Sequence, residues 1–256
     1  FHGTNYARQT EWEDYDTVRR EEIIEYFSKN YKNGLRKVVL VGALDEVQVT
    51  EIAEKSKKWC LPEKPLFENN FNNNKGVFQL EKKDAVQSAV RIGKTLFNKN
   101  HPDFLGFSIL NTILGDYFGS RLMKNIREDK GYTYGISSTE AELAKSGYFM
   151  IGTEVGSAQK DLAIQEIKNE IERLQKDLVP DEELELVRNY LLGQLLKSAD
   201  GPYAMLDLFS NVHHYGLTLE FYDHLIERIR HITPQRIQEL AKRYLNWEEM
   251  LIISAG

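Results

Sequence analysis

The sequence predicts an α+β fold in which helices pack on one face of a layered antiparallel or mixed β-sheet. Two observations predict this class. Short apolar strands occur in pairs, near residues 76–94 and 132–155, with helical segments between the pairs. Helical segments then fill most of residues 157–245, and the strand EMLIIS follows. Strand pairs that alternate with helices are typical of layered α+β domains.

Composition limits the class of protein. The chain has 256 residues, of which 41% are hydrophobic, and this is enough to bury a substantial core. Its net charge of −6 argues against nucleic acid as a partner, because a phosphate backbone is held mainly by clustered Lys and Arg. Cys60 is the single cysteine, so it cannot form a disulfide within the chain. The sequence has no apolar run of membrane-spanning length, so we expect a soluble protein of unassigned compartment.

The first 60 residues predict a helix, a strand and a second helix. Asp16 and Thr17 are candidate N-caps for an amphipathic helix whose apolar side chains recur at helical spacing. The run KVVLVG, residues 37–42, predicts a buried strand, and Asp45 predicts the N-cap of a helix that ends near Trp59. The apolar residues of the first helix are Ile23, Ile24, Phe27 and Tyr31.

A linker is predicted at residues 61–74. The run LPEKPLFENNFNNN contains two prolines and no apolar periodicity. The sequence therefore predicts a domain boundary there, with one unit before it and a larger unit over residues 75–256.

The larger unit begins with two predicted strands and a helix. The second strand alternates through Val86, Ser88, Val90 and Ile92, which indicates one buried face. Pro102 is predicted in the first turn of the helix that follows. That helix has a wide apolar face made of Phe104, Ile109, Leu110, Ile113 and Leu114.

The stretch NIREDKGYTYGISS, residues 125–138, combines a cation with aromatic residues. A short helix is predicted before it, with Ser120 as N-cap and Gly131 as the C-terminal stop. Arg127 falls in the last turn of that helix, and Tyr132 and Tyr134 follow two residues apart, which places them on the same face of a predicted strand.

The chain also contains an internal similarity. Residues 20–42 and 234–256 each predict an amphipathic helix, a polar turn, an apolar strand and a glycine, with Ile24 matching Ile237 and Tyr31 matching Tyr244. We interpret them as two copies of one unit, the first represented only by its tail. The alternative is that helix–turn–strand is a common arrangement.

These segments carry a family resemblance. The run from His101 to Ser138, the acidic helix PDEELELVRNYLLGQLL and the closing EEMLIISAG closely resemble the second half of the pitrilysin and insulinase family of zinc metallopeptidases. The most specific part is SRL followed by REDKGYTY. The resemblance implies two homologous halves: residues 1–60 resemble the tail of the first, zinc-bearing half, and residues 75–256 resemble the second, substrate-completing half.

The resemblance implies roles for three residues. Arg127 and Tyr134 match the arginine and tyrosine that reach the peptide near the zinc, and Tyr132 is either a substrate-binding neighbour or a packing aromatic. A guanidinium can donate to a peptide carbonyl or carboxylate, and a phenol can donate to a developing oxyanion. The alternative is structural, since an arginine in a last helical turn meets the negative end of the helix dipole and tyrosines favour strands.

The family's zinc motif, HxxEH, does not occur in this chain. The nearest string is HLIER, where Arg228 stands in place of the second histidine and cannot bind zinc. His224, Glu227 and His231 share a helical face, so a three-ligand surface site is the alternative, but a mixed polar helix surface explains the same residues and is favoured. We therefore predict no metal ligands and no cofactor in this chain, with zinc in an upstream half or a partner.

The resemblance predicts that the parent protein is a zinc-dependent endopeptidase that degrades peptides, and that this chain is inactive by itself. Its expected partners are a peptide substrate and a zinc-bearing half, fused or in a separate chain, within a homodimer or heterodimer. The alternative is a non-catalytic partner or structural subunit of the same family. No nucleic acid and no membrane is expected.

Overall fold

The computed structural model describes residues 4, 6–31, 34–35, 37–59 and 74–256. The chain forms two compact units. One contains residues 1–70 and 199–210, and the other contains residues 71–198 and 211–256. The predicted linker at 61–74 lies outside the described residues except for Asn74.

The first unit contains three helices from the start of the chain: α1 (Trp12–Thr17), α2 (Arg20–Asn30) and α3 (Glu46–Lys57). The predicted N-caps of the first helix are wrong, because Asp16 and Thr17 end α1 and Arg19 precedes α2. The predicted cap at Asp45 is confirmed, since its side chain accepts a hydrogen bond from the amide of Gln48.

The predicted buried strand at 37–42 does not form. Within the described segment 37–59, Lys37–Val41 has no strand structure, and Val38 and Leu40 are 46% and 40% exposed. The apolar face of α2 is also exposed. A strand needs a neighbour to pair its backbone groups, and Lys37–Val41 has no such neighbour among the described residues.

The second unit contains a five-stranded mixed sheet. Its strands are β1 (Gly76–Leu80), β2 (Gln87–Leu96), β3 (Thr133–Leu143), β4 (Ser146–Gly156) and β5 (Leu251–Ala255). Their order across the sheet is β1-β5-β2-β4-β3. β5 lies between β1 and β2, pairing parallel with the first and antiparallel with the second. β3 and β4 form an antiparallel hairpin, and β3 is an edge strand.

Helices account for most of the remaining chain, as the sequence predicts. The α-helices are α4 (Phe104–Leu114), α5 (Lys160–Lys176), α6 (Asp181–Ser198), α7 (Pro202–His213), α8 (Glu220–His231) and α9 (Pro234–Tyr244). Most of α7 belongs to the first unit. A π-helix (Met123–Asp129) follows α4, and short 3₁₀ turns lie at Ser157–Gln159 and Trp247–Glu249.

The core lies between one face of the sheet and the helices. The alternation predicted for β2 is confirmed for Ser88, Val90 and Ile92, which are buried, but not for Val86, which lies before β2 and is 84% exposed. On β4, Phe149 and Ile151 join the same core. The predicted apolar face of α4 is buried throughout. These observations confirm the α+β class with helices packed on one face of the sheet.

Asp103, at the N-terminus of α4, binds three side chains of α9. Its carboxylate accepts hydrogen bonds from Arg236 (2.5 Å), Arg243 (3.0 Å) and the Tyr244 hydroxyl (2.5 Å). Burial opposes ionisation of Asp103, but these donors outweigh it and lower its pKa. Burial and the hydrogen bond to Asp103 raise the pKa of Tyr244 to about 12. The first and last helices of this unit are thus joined by a charged contact.

No helix among the described residues is long and apolar enough to cross a bilayer.

Glu140 on β3 should make stability depend on pH. Burial raises its pKa to about 7, and nearby Glu142 and Asp116 act in the same direction, against the Ser108 hydroxyl. Its Oε2 atom is buried without a hydrogen-bond partner among the described residues. Because the folded state holds the proton more tightly than the unfolded chain, stability should fall as pH rises from about 4.5 to about 7.

We therefore expect Glu140→Gln to stabilise the protein by about 1–3 kcal/mol at pH 8 and to have little effect near pH 4.5. Urea unfolding at both pH values measures this difference. Glu154→Gln, on the exposed part of β4, is the matched control. An equal effect of Glu140→Gln at both pH values would contradict the assignment.

Candidate functional site

The π-helix Met123–Asp129 carries Arg127. Its wide turns are visible in the hydrogen bond from the amide of Lys130 to the carbonyl of Asn125, five residues earlier. Met123 and Ile126 are buried beneath it. π-Helices are rare and often lie at functional sites. The sequence predicts a helix here but not its wider pitch.

Asn125 anchors the π-helix to α5. Its side-chain amide donates to Glu166 (3.0 Å) and to Glu170 (2.6 Å), which is 3% exposed. Arg173 also binds Glu170 at 2.9 Å, and Lys130 lies 3.3 Å from Glu166. Burial opposes ionisation of Glu166, but the hydrogen bonds from Asn125 and Lys130 lower its pKa. Two carboxylates of one helix therefore hold the turn that precedes Arg127.

The segment before the π-helix is fixed by Arg121. Its guanidinium donates two hydrogen bonds of 2.8 Å to the two carboxylate oxygens of Glu183 on α6. Bidentate pairs of this kind are geometrically specific. The predicted N-cap at Ser120 is wrong, because its hydroxyl is buried without a hydrogen-bond partner among the described residues. The predicted stop at Gly131 is confirmed by its φ of 64°.

Arg127 and Tyr134 are brought together by a hydrogen bond. The Nε–H of Arg127 donates to the backbone carbonyl of Tyr134 at 3.0 Å. The guanidinium also lies over the ring of Phe118, with its central carbon 4.8 Å from the ring centroid. One terminal nitrogen of Arg127 lies 4.0 Å from Glu128, the outer limit of an ion pair. Arg127 is thus oriented through its Nε–H and through one face of its guanidinium.

A β-bulge determines the position of Tyr134. The pairing of β3 with β4 shifts between Thr133 and Ile136, so β3 has one extra residue there. The Thr133 hydroxyl lies 2.6 Å from the carbonyl of Glu154 and accepts from the Gly135 amide at 3.1 Å. The Thr153 hydroxyl donates to the Gly135 carbonyl at 2.9 Å. Two threonines therefore satisfy backbone groups that the bulge removes from the ladder.

The two tyrosines of the motif have different surroundings. Tyr134 is 94% exposed. Tyr132 lies just before β3, is half-buried and packs against the hydrophobic core, as the packing alternative describes. The bulge ends the simple alternation from which a shared strand face was predicted.

Tyr134 borders a shallow cavity of about 370 Å³ on the sheet face opposite the core. The side chain of Arg91 enters this region from β2 and binds the carbonyl of Thr153 at 3.1 Å. Backbone and small polar side chains form much of the remaining wall. Besides Arg91 and Tyr134, the lining includes Gly135, Ser137, Thr139 and Gly152.

The described part of the chain contains no group of three or more His, Cys, Asp or Glu side chains that could hold a metal ion. Glu227 of the HLIER segment lies 3.3 Å from His231, which follows that segment by three residues, and both side chains are more than half exposed. The residues present here therefore do not fit a zinc site.

The sequence matches the family described as Peptidase M16 inactive domain over residues 17–191. The chain belongs to the M16 peptidase family. This finding confirms the resemblance to pitrilysin-like zinc metallopeptidases, and the matching part is the inactive domain of such proteins. The missing HxxEH motif agrees with this assignment.

Individual relatives agree with the M16 assignment. The chain is 24% identical over 168 residues to a Bacillus subtilis protein named uncharacterized zinc protease YmxG, covering 63% of this chain and 40% of that protein. It is 24% identical over 241 residues to a Helicobacter pylori protein named non-peptidase homolog YmxG, covering 91% and 54%. The chain thus spans about half the length of these relatives.

A solved structure supports the M16 fold. The crystal structure of a peptidase M16 inactive domain from Pseudomonas fluorescens superposes with a TM-score of 0.74 at 23% identity, covering 84% of this chain and 52% of that one.

Several residues around Arg127 in this M16 inactive domain were not singled out from the sequence. Asn125 contacts α5, and Phe118 contacts a side chain nine residues away. Thr133 and Thr153 act across two strands. The spacing of residues within one segment does not predict such contacts. The acidic residues at the start of α6 favour helix initiation, and Glu183 among them also binds Arg121.

The bulge network predicts a measurable effect of one hydroxyl. Thr153→Val keeps the shape of a buried side chain but removes one of the two threonine hydroxyls that lie 2.9 Å from the Gly135 carbonyl, the other being that of Thr133. We expect a loss of about 1–2 kcal/mol in the free energy of unfolding, measured by urea denaturation. Thr139→Val, on the exposed part of β3, is the control and should change stability by less than about 0.5 kcal/mol. Equal effects of the two substitutions would show that the hydroxyl contact is unimportant.

Proposed function

We propose that this chain is the C-terminal part of a zinc-dependent endopeptidase that degrades peptides. Residues 1–60 would be the tail of the first, zinc-bearing half, residues 61–74 the linker, and residues 75–256 the second half. This second half would complete the substrate site. The observation that carries the proposal is the hydrogen bond of 3.0 Å between Arg127 and the carbonyl of Tyr134, a residue whose side chain is 94% exposed.

The two segments of similar sequence, residues 20–42 and 234–256, support the division into halves. In the second unit, Ile237 of α9 is fully buried, and β5 pairs on both sides. The matching Ile24 of α2 is 46% exposed, and Tyr31, which matches Tyr244, is 68% exposed. A helix that exposes its apolar face lacks an element that packs against that face. A preceding sheet and helices of the first half would supply them.

Arg127 and Tyr134 suit a role in binding and charge stabilisation. Arg127 is oriented by its Nε bond and by Phe118, so its terminal amino groups can donate to a peptide carbonyl or carboxylate with little further ordering. Tyr134 can donate its phenolic proton to the oxyanion that forms when the peptide carbonyl is attacked. Tyr132 is the third proposed substrate-binding residue, acting through its exposed part or by supporting the strand that carries Tyr134.

Zinc would be supplied by the first half, fused to this chain or in a separate one. Its chemistry in such peptidases is the activation of water for attack on a peptide bond. The described residues of this chain offer no metal ligands in a cluster, and we therefore propose that the chain alone is inactive. The site would be complete within a two-half protein or in a homodimer or heterodimer.

A second candidate is a non-catalytic subunit that binds peptides or assembles with a chain carrying HxxEH. The names of two relatives favour it. One is the Helicobacter pylori non-peptidase homolog, and another, at 21% identity, is named probable inactive metalloprotease YmfF of Bacillus subtilis.

The decisive experiment uses the natural full-length polypeptide. We expect chelator-sensitive cleavage of an unstructured peptide, with kcat/KM lowered about 100-fold by Arg127→Ala and about 10-fold or more by Tyr134→Phe. Zinc content should be unchanged in both variants. Arg230→Ala and Tyr15→Phe alter exposed residues of the same types and serve as controls.

The outcomes separate the two candidates. Cleavage that survives both substitutions would overturn the roles of Arg127 and Tyr134. Absence of both zinc and cleavage in the full-length polypeptide would favour the non-catalytic subunit, and peptide binding that depends on Arg127 would then identify a peptide-binding one.

A further inference from the structure

Phe118 is an aromatic side chain directed outward by the loop between α4 and the π-helix. Its neighbour Tyr117 points the other way, packing against the core and lying 4.9 Å from the ring of Tyr190. The amide of Ser120 bonds the carbonyl of Tyr117, which closes a tight turn. A side chain at Gly119 would come within 2.8 Å of the Tyr117 ring. The turn therefore fixes Tyr117 inward and leaves Phe118 64% exposed.

The exposed ring lies beside the site described above. Arg127 contacts Phe118 through its guanidinium and Tyr134 through the backbone carbonyl. The cation is thus flanked by two aromatic residues that are 64% and 94% exposed. All three lie on segments that the Arg121–Glu183 pair, the Asn125–Glu170 contact and the bulge hold in place.

This arrangement joins a hydrogen-bonding group to apolar surface. Phe118 orients Arg127 from one side, but most of the ring remains in contact with water. An apolar side chain laid against the ring would remove that surface from water while the neighbouring peptide carbonyl accepts from Arg127. An anionic side chain would gain nothing from contact with the Phe118 ring. A cationic side chain would be attracted to the ring but repelled by Arg127.

We propose that Phe118 is a specificity-determining residue: it forms an apolar subsite for an aromatic or aliphatic side chain of the bound peptide, next to the residue whose carbonyl Arg127 holds. This inference rests on the proposed function and adds the class of peptide that the site selects. Phe118 also positions Arg127, and the two roles predict different patterns of binding.

The test measures dissociation constants by fluorescence anisotropy for the natural full-length polypeptide, treated with chelator so that binding is separated from cleavage. The probes are labelled peptides that are identical except for Phe, Leu, Ala or Asp at one central position. Phe118→Ala should weaken binding of the Phe and Leu peptides about tenfold more than binding of the Ala and Asp peptides, which lose only the contact that positions Arg127. Phe118→Leu should restore binding of the Leu peptide.

Leu178→Ala, which alters an exposed apolar side chain on another loop, is the matched control and should leave every affinity unchanged. Uniform weakening of all four peptides by Phe118→Ala would overturn the subsite and leave a positioning role alone. No change would overturn both roles. If Phe118→Ala converts a dimer to a monomer in sedimentation, the subsite would also be overturned, because the Phe118 ring would then bind a second copy of the chain.

Failure of the proposed function gives a different result. If Arg127→Ala leaves all four affinities unchanged, the proposed function is wrong. If Arg127→Ala weakens all four while Phe118→Ala shows no selectivity, only the subsite is wrong. Absence of peptide binding by the unmodified polypeptide overturns both.

Discussion

The sheet-bearing unit depends on the buried carboxylate of Asp103, which joins the beginning of α4 to the end of α9. Two guanidinium groups and a phenol converge on it, so the charge is compensated where burial would otherwise disfavour it. The contact fixes the helix that leads into β5, and β5 in turn supplies the pairing partner of β1. α4 also precedes the loop and the π-helix that carry Phe118 and Arg127, so one charged cluster anchors both β5 and the candidate site.

Much of this unit was predictable because its elements are specified by local patterns. The alternation of Ser88, Val90 and Ile92 indicates one buried strand face, and the apolar residues of α4 indicate a helix that lies in the core. The segment at 37–42 has an equally strong strand pattern, yet its residues remain unpaired among those described. Apolar β-branched residues favour a strand, but only a neighbouring strand can supply the hydrogen bonds.

The candidate site was predictable only in part. Arg127 and Tyr134 were found through a family motif, while their geometry comes from contacts that are distant in sequence. The π-helix register depends on carboxylates about 40 residues later, and the orientation of Tyr134 depends on threonines of two strands. In the sequence, a threonine whose hydroxyl bonds the backbone at a bulge cannot be distinguished from any other threonine of a strand. Ser120 shows the reverse case, since a favourable cap residue is buried without making a cap.

The position of β5 has a consequence for synthesis of the chain. β1 and β5 are neighbours in the sheet but stand at opposite ends of this unit's sequence, whereas β2, β3 and β4 can pair as soon as they leave the ribosome. Until β5 emerges, β1 has no strand beside it among the described residues, and the near edge of β2 is open. Nascent chains that stall before residue 251 would therefore present β1 unpaired and β2 with one open edge, which chaperones would have to shield from edge-to-edge aggregation.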